Sequence, residues 1–421
     1  MPTGVSNTSQ PAKGRLPLAW LGALTVSALL VMVAISLIRP MTTYKLLVLD
    51  AGGVTVGIVS AAYALLPLIF IFTVGSRAQR ARSLKPLLIV GALTIAAGSG
   101  IIAAAQSLIL VVVGTIVVGF GQMVFAIAGQ AMIARFASNR QLDMAFGWFT
   151  AGFSAGQMFG PLIGGALLSG AEAGDPAAVS QAIDLALGLG AVSAALVLLV
   201  LLAARRSFRA SAGSRHTDAT QPTKSVEQAE RPTIRQIFRI PRVKSYVFSS
   251  VALLAMVDIL MAFLPLVGEA AGVPPFWVGV FLAVRAGASI LSRAVLSLMR
   301  RIASREVLVL LALWVPGLSL AVLPATIHIL WLALMIMVIS GFFLGVGQPL
   351  TMSQVTQAVP SDWRSAALAV RLMGNRVGQV GVPLGAGTLV GLWGPGAAVW
   401  LACLMLVSSG AEQLVTFRRK S

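Results

Sequence analysis

The sequence predicts an all-α membrane protein with twelve transmembrane helices in two similar six-helix bundles. Three observations predict this fold class: the scarcity of charge, the lengths of the apolar stretches and the distribution of basic residues. Of the 421 residues, 57% are hydrophobic and only 10% are charged, whereas soluble domains carry about 25% charged residues. So few charges could not cover the surface of a water-soluble fold of this length. The composition therefore indicates a membrane protein.

The apolar stretches have the length that a membrane-spanning helix needs. About 20 consecutive apolar residues cross the hydrocarbon core as a helix, and the alternating ten-residue patterns of a β-barrel are absent. We expect helices at 16–38, 55–76, 86–106, 110–132, 146–169, 182–203, 244–266, 275–297, 306–324, 329–352, 365–391 and 396–416. The first stretch is too long for the core of a signal peptide, so we interpret it as the first span.

The basic residues predict the orientation of these spans. The formal net charge is +18, and 25 of the 31 Lys and Arg residues fall in the termini and alternate loops on one side. Cytoplasmic loops of membrane proteins carry such an excess. We therefore expect both termini in the cytoplasm and a location in the cell inner (plasma) membrane. The high pI requires no nucleic-acid partner.

One long polar segment divides the spans six and six. We expect an N-terminal half at 1–204, a basic cytoplasmic linker at 205–243 and a C-terminal half at 244–421. The Ser-, Thr-, Gln- and Glu-rich composition of the linker is typical of a flexible segment. Near its end, Ile234–Arg239 could form a short amphipathic helix on the inner membrane surface.

The two halves resemble each other in the fifth span of each. An ungapped comparison of Gly152–Leu167 with Gly374–Leu389 matches seven positions. The first-half members are Gly152, Gly156, Gln157, Pro161, Leu162, Gly165 and Leu167, and the second-half members are Gly374, Gly378, Gln379, Pro383, Leu384, Gly387 and Leu389. Parallel six-span repeats are a known transporter design, in which the substrate site lies between the repeats.

The first-half span also contains a longer glycine pattern. Glycines at every fourth position make a smooth helix face for close packing, and the proline permits a bend. The pattern consists of Gly147, Gly156, Gly160, Pro161, Gly164 and Gly165. It resembles the antiporter motif of the major facilitator superfamily, and the resemblance to that family covers essentially the whole chain. The resemblance implies the two-bundle fold and export of a compound in exchange for protons.

Two other signatures of the family are incomplete. The loop after span two keeps Gly75 and Arg80, but Gln79 replaces the acid that helps to latch the halves on the inner side. The latch is therefore not expected to form in the same way. Thr115 occupies the apparent place of the fourth-span arginine that the family associates with proton antiport. Proton coupling must then use another group or another ion, or must not occur.

Asp258 is the only acid that we place well inside a span. Ionisable residues within membranes are costly, which makes them candidates for function. Asp258 could load and release a proton, so it is the candidate for proton coupling. The alternative is a structural ion pair with a nearby arginine.

Basic and amide side chains also fall inside the spans. The substrate-binding candidates are Arg285, Arg371, Asn375, Arg376 and Gln379. Arginine does not lose its proton in proteins, and its fork suits carboxylate or phosphate. We therefore expect an anionic or zwitterionic substrate, with pairing between helices as the alternative role. Arg293 is interpreted as structural because it can reach the inner surface. Arg39 and Lys45 fall on the outer side, where Arg39 and Tyr44 are interpreted as interfacial anchors, with a gate role as the alternative.

These features predict a secondary active transporter that works by rocking of its halves. The leading hypothesis is proton-coupled efflux of a small organic compound. The alternative is an uptake symporter or facilitator for an organic anion, and a third hypothesis is a receptor that transports nothing. The sequence contains no phosphate-binding loop with lysine, metal-ligand cluster or nucleophile elbow. We therefore expect neither an enzyme nor a cofactor or metal; the expected partners are the substrate, protons and lipid, and the expected state is a monomer.

Overall fold

The computed structural model describes residues 18–81, 83–137, 142–171, 175–204, 234–240, 242–360 and 363–418. These residues form helices and no strand. The helices are α1 (Leu18–Val48), α2 (Gly53–Arg80), α3 (Lys85–Ala103), α4 (Leu108–Phe136), α5 (Leu142–Ser169), α6 (Pro176–Ala203), α7 (Ile234–Arg239), α8 (Val243–Ala270), α9 (Pro275–Ile302), α10 (Arg305–Thr326), α11 (Leu330–Gln357), α12 (Arg364–Trp393) and α13 (Gly396–Arg418). The predicted all-α fold class is confirmed.

Ten of the described helices are both long and apolar enough to cross a membrane. The two other long helices are α5, with 28 residues, and α12, with 30 residues. Both have the length of a span, but glycine and polar residues lower their hydropathy. The halves resemble each other in sequence in these two helices. The two least apolar long helices are therefore the ones with the most specific sequence pattern.

Helix α1 is longer than the sequence predicted. It continues through Arg39 and Pro40 to Val48, ten residues beyond the expected end at 38. Lys45, which the sequence assigned to an outer loop, is 5% exposed, and its Nζ lies 2.6 Å from Oδ1 of Asp184 in α6. The prediction of the helix end was wrong because the charges that suggested a surface have partners inside the protein.

Three of the six equivalent pairs of long helices begin 222 residues apart in sequence. α2 begins at Gly53 and α9 at Pro275, α4 at Leu108 and α11 at Leu330, and α5 and α12 at residues 142 and 364, an offset of 222 in each case. The packing follows the same relationship. The pairs α1–α5, α1–α6, α2–α4, α3–α4 and α3–α6 recur as α8–α12, α8–α13, α9–α11, α10–α11 and α10–α13.

The halves meet along two equivalent helix pairs, α2–α12 and α5–α9. A Cβ on Gly279 of α9 would overlap the carbonyl oxygen of Pro161 in α5, and a Cβ on Gly57 of α2 would overlap that of Pro383 in α12. Only glycine permits so close an approach of two backbones. These contacts lie toward the α1–α2 and α8–α9 turns, which we call the expected outer end. At this end the two halves are closed against each other.

The short helix α7 forms where the sequence predicted it. Its Ile237 is 1% exposed and packs with Val243, Val355 and Val370 of the C-terminal half. The apolar face of this helix packs against the protein, and its expected position at the inner membrane surface stays a prediction. Most of the expected linker, 205–233, lies outside the described residues.

Candidate functional site

The glycine pattern of α5 packs helices on both of its sides. Cβ atoms on Gly156 and Gly160 would lie 2.7 Å from atoms of α1, so these glycines allow α5 to contact the first helix of its own half. Pro161 and Gly165 face Gly279 of the other half instead. Gly164 also faces α1, at Leu37 and Met41, whereas a Cβ on Gly147 would meet no atom within 4 Å. Helix packing therefore accounts for five of the six pattern residues.

An ion pair joins the two halves in the interior of the bundle. Arg39 of α1 donates from Nη1 to Oδ1 of Asp258 in α8, at 2.6 Å. The two side chains are 16% and 6% exposed, respectively. The expectation that Arg39 anchors the helix at the membrane interface was wrong. Its charge is inside because the carboxylate of Asp258 compensates the cost of burial.

The second carboxylate oxygen of Asp258 extends this pair into a chain. Gln379 of α12 donates from Nε2 to Oδ2 of Asp258 at 2.9 Å. Arg376 in turn donates from Nη1 to Oε1 of Gln379 at 2.8 Å. Three predicted candidates, Asp258, Arg376 and Gln379, therefore belong to one connected network. We call it the central network: Arg39, Asp258, Gln379 and Arg376.

The N-terminal half contributes an aromatic wall beside the central network. The guanidinium carbon of Arg39 lies 5.0 Å from the ring centre of Tyr63 in α2, within the range of a cation–π interaction. The hydroxyl of Tyr63 is hydrogen bonded to the side-chain oxygen of Gln122. Arg39, Tyr63 and Thr115 line a narrow cavity with room for a water molecule or two. Thr115 stands at the position where the family carries an arginine, and it lies beside Arg39, an arginine that comes from α1.

Two other candidates lie in a separate cluster within the C-terminal half. Arg371 donates from Nη2 to Oε1 of Gln348 in α11 at 2.6 Å. Asn375 accepts from the hydroxyl of Ser250 in α8 at 3.0 Å, and Gln348 donates to the carbonyl of Ser250 at 3.3 Å. Arg371, Asn375 and Gln379 follow one another at four-residue steps in sequence, which predicts one polar stripe along α12. The structure divides the stripe, because only Gln379 reaches the central network.

Arg285 and Arg293 of α9 have different surroundings. Arg285 is 2% exposed, and its charge interacts with those of Arg293, Asp258 and Arg39. The sequence suggested that the side chain of Arg293 reaches the inner membrane surface, but the side chain does not turn in that direction. It donates from Nη1 to Ser154 of α5 at 3.0 Å and from Nε to the carbonyl of Gly345 at 3.3 Å. Arg293 is therefore a contact between the halves.

A side chain of α4 binds the loop after α2, and both elements belong to the N-terminal half. Arg135 donates from Nη1 to the carbonyl of Ala81 at 2.6 Å, and from Nη2 to those of Ala78 and Gln79 at 3.2 and 3.1 Å. A cation at these carbonyls compensates the unpaired acceptors and the dipole of the helix end. Arg80, which the resemblance singled out, is exposed, and a Cβ on Gly75 would meet no atom within 4 Å.

Sequence reasoning missed three members of the site. Arg39 was assigned to the surface, while Tyr63 and Gln348 were not singled out. The signal for Arg39 was the apolar stretch Leu46–Leu49 beyond it, which places Arg39 within a longer segment and not at its end. Among the described residues, no group of three or more His, Cys, Asp or Glu could hold a metal ion.

Comparisons with known proteins identify the family of the chain. The chain is similar to a peptide transporter of the POT family crystallised with sulfate, with 14% identity, a TM-score of 0.74 and 97% and 96% of the two chains covered. It is also similar to the nucleoside transporter NupG, with 14% identity, a TM-score of 0.71 and 94% and 99% covered. A comparison with curated sequences gave no significant match.

A third similar structure is a bacterial homologue of the human lysosomal transporter Spinster, with 16% identity, a TM-score of 0.67 and 97% and 98% of the two chains covered. At such identities these likenesses establish the fold. The profile of the Major Facilitator Superfamily matches residues 24–383, which is most of the chain. The protein is therefore a multi-pass membrane transporter, not an enzyme, and belongs to the Major Facilitator Superfamily.

Proposed function

We propose that the protein is a proton-coupled secondary active transporter that moves a small organic compound through a central site by alternating access. The observation that carries the proposal is the buried pair between Arg39 of the first half and Asp258 of the second, 2.6 Å apart. Within the described spans, Asp258 is the acid that joins the halves. The protonation state of Asp258 can therefore depend on the relative position of the two halves.

Protonation of Asp258 weakens the link between the halves. The charged pair has Coulomb attraction and a charge-assisted hydrogen bond, both of which weaken when the carboxylate becomes neutral. Gln379 can accommodate either state, because an amide both donates and accepts hydrogen bonds. Proton binding would thus free Arg39 and loosen α1 from α8, which permits the rocking motion on which transport by two repeats depends.

Two directions of coupling remain as candidates. The spacing of the α5 glycines favours proton-coupled efflux, through its resemblance to antiporters. The excess of buried arginine over carboxylate in the C-terminal half favours movement of an organic anion together with protons. We favour the second candidate, since helix packing alone accounts for most of the α5 pattern.

The same reasoning extends to the setting of the protein. We propose twelve spans in the cell inner membrane with both termini in the cytoplasm, because the basic residues fall on one side of the spans. We further propose that the halves 1–204 and 244–421 move as units about the linker at 205–243, and that the transporter acts as a monomer. The offset of 222 residues between the starts of three equivalent helix pairs supports this division.

Proton movement into or out of proteoliposomes tests the proposal. Purified protein is reconstituted with a pH-sensitive dye inside, and a panel of cationic, neutral and anionic compounds is added. We expect one class of compound to move protons with the wild type and not with Asp258→Asn. Asp184→Asn is the matched control, because it removes the carboxylate of the other ion pair, which joins Asp184 to Lys45 within the N-terminal half and does not link the halves. Proton flux that is unchanged in Asp258→Asn would exclude Asp258 from the coupling.

A further inference from the structure

Arg285 differs from the other arginines inside the described spans. Its Nε and Nη2 atoms are buried and have no hydrogen-bond partner among the described residues. Each of the others has at least one protein partner: Arg39 with Asp258, Arg293 with Ser154, Arg371 with Gln348 and Arg376 with Gln379. A guanidinium has five donor N–H groups, so Arg285 has binding capacity that the protein leaves unused.

The unpaired charge of Arg285 is costly for the folded protein. Removing a guanidinium from water without an opposing charge is strongly destabilising. Asp258, the one acid nearby, already receives Arg39 and Gln379. A protein that retains such a group has a use for it that outweighs the cost. An anionic ligand would supply the missing acceptor.

The symmetry of the halves indicates where Arg285 points. With the offset of 222, Arg285 corresponds to Tyr63, and the backbones of both pack on an equivalent glycine, Gly341 and Gly119. Tyr63 lines the narrow cavity beside Arg39. By this equivalence Arg285 occupies in the second half the position that Tyr63 occupies in the first, and it lies close enough to Arg39 and Asp258 for their charges to interact.

We infer that Arg285 is the anchor for a carboxylate or phosphate group of the transported compound. This inference rests on the proposed transport function and specifies its substrate class. The planar fork of arginine binds both oxygens of such a group at once. The narrow cavity admits little more than water in the present closed arrangement, so the compound enters when the halves separate.

The geometry also sets the sign of the coupling. While Asp258 is charged, it neutralises Arg39 and repels a second anion nearby. When Asp258 takes up a proton, the repulsion ends and Arg39 gains the freedom to share the substrate anion with Arg285. The proton remains on Asp258, and the anion remains on the arginines. Proton and anion therefore bind cooperatively and cross the membrane in the same direction.

Thermal unfolding of the purified protein in detergent tests Arg285, with acetate, benzoate, succinate and inorganic phosphate as probes. Without a probe, Arg285→Met is expected to unfold at a higher temperature than the wild type, because an apolar side chain replaces an unpaired charge. At least one probe should stabilise the wild type, and its affinity should be about tenfold or more weaker in Arg285→Met. Arg285→Lys, which keeps the charge and loses the fork, should have an intermediate affinity.

Lys45→Met is the matched control, because it removes a buried cation that has a partner. It should lower the unfolding temperature and leave probe binding unchanged. A second test uses Asp258→Asn at a single pH: because this variant lacks the carboxylate that repels a second anion, it should bind the probe more tightly than the wild type.

Three results would overturn the inference. One is an Arg285→Met protein that is less stable and binds the probe as well as the wild type, which would assign Arg285 a structural role. Another is a wild type that none of the four probes stabilises. The third is an Asp258→Asn protein that binds the probe more weakly than the wild type. Proton flux driven only by a neutral compound would contradict the inference about Arg285 and leave the proposed transport function supported. Probe binding without proton flux would contradict the proposed proton-coupled transport and leave the inference about Arg285 supported.

Discussion

Gly57 and Gly279 occupy equivalent positions in the two halves, and each faces the backbone of a proline in the opposite half, Pro383 and Pro161, respectively. The halves are thus closed at the expected outer end by two copies of one contact. Each contact depends on the absence of a Cβ, because the facing atoms belong to backbone and cannot move aside as a side chain can.

Replacing one of these glycines should open the expected outer end. In Gly279→Ala the new methyl group overlaps the carbonyl oxygen of Pro161 and lies 3.2 Å from the Cα of Gly165. Overpacking of this kind costs about 1–3 kcal/mol, which penalises the closed arrangement. We expect slower transport and a longer distance between spin labels on the outer ends of α5 and α9. Gly381→Ala is the control, since its Cβ would meet no atom within 4 Å; equal distances in the two variants would contradict the role of the contact.

The Arg39–Asp258 pair should behave as a coupled unit in stability measurements. Arg39→Met leaves the carboxylate buried without its cation and is expected to lower the free energy of unfolding by about 3–5 kcal/mol. The double variant Arg39→Met/Asp258→Asn should recover most of this loss, because neither charge remains, but it should not restore proton flux. Chemical denaturation of the wild type, Arg39→Met, Asp258→Asn and the double variant gives the interaction energy between the two side chains. Additive losses would mean that the pair is not coupled in solution.

Arg371 should contribute to stability and not to proton coupling. Its main partner, Gln348, belongs to the same half and lies outside the central network. Arg371→Gln removes a hydrogen bond to a charged group and should cost about 1.5–3 kcal/mol. We expect a lower unfolding temperature and an unchanged pH dependence of transport. Loss of that pH dependence with normal stability would place Arg371 in the coupling machinery instead.

Arg135 should hold the C-terminal end of α2. Arg135→Gln removes the guanidinium that binds the carbonyls of Ala78, Gln79 and Ala81. We expect faster hydrogen–deuterium exchange at residues 77–81, because fraying of the last turn exposes its amides. Arg80→Gln is the control, since Arg80 is exposed at the same helix end. Similar exchange in both variants would show that the Arg135 contacts do not order the loop.

The fold was predictable where it depends on local pattern. Runs of about 20 apolar residues marked the long helices, and the Gly-Gln-Pro similarity of α5 and α12 marked the repeat. The end of α1 was not predictable in this way, because Arg39 and Lys45 signal a surface unless their partners are known. Those partners, Asp258 and Asp184, lie 219 and 139 residues away in sequence.

The candidate site was predictable in its residue types and less so in its connections. Rare polar and charged residues within the expected spans pointed to Asp258, Arg376 and Gln379, which the structure joins. Arg371 gave the same signal, yet it packs within one half. Helical periodicity specifies which face of a helix a residue occupies, but it does not specify which neighbour that face meets. The role of Tyr63 was invisible because a tyrosine in a span is usually a packing residue.

The two equal glycine contacts have a mechanical consequence. The contacts belong to the pairs α2–α12 and α5–α9, whereas α1 and α8, which carry the Arg39–Asp258 pair, touch each other outside these pairs. Separation of the glycine contacts therefore leaves the ion pair in place, and release of the ion pair leaves the glycine contacts in place. Full separation of the halves thus requires two independent changes, one in helix packing and one in charge.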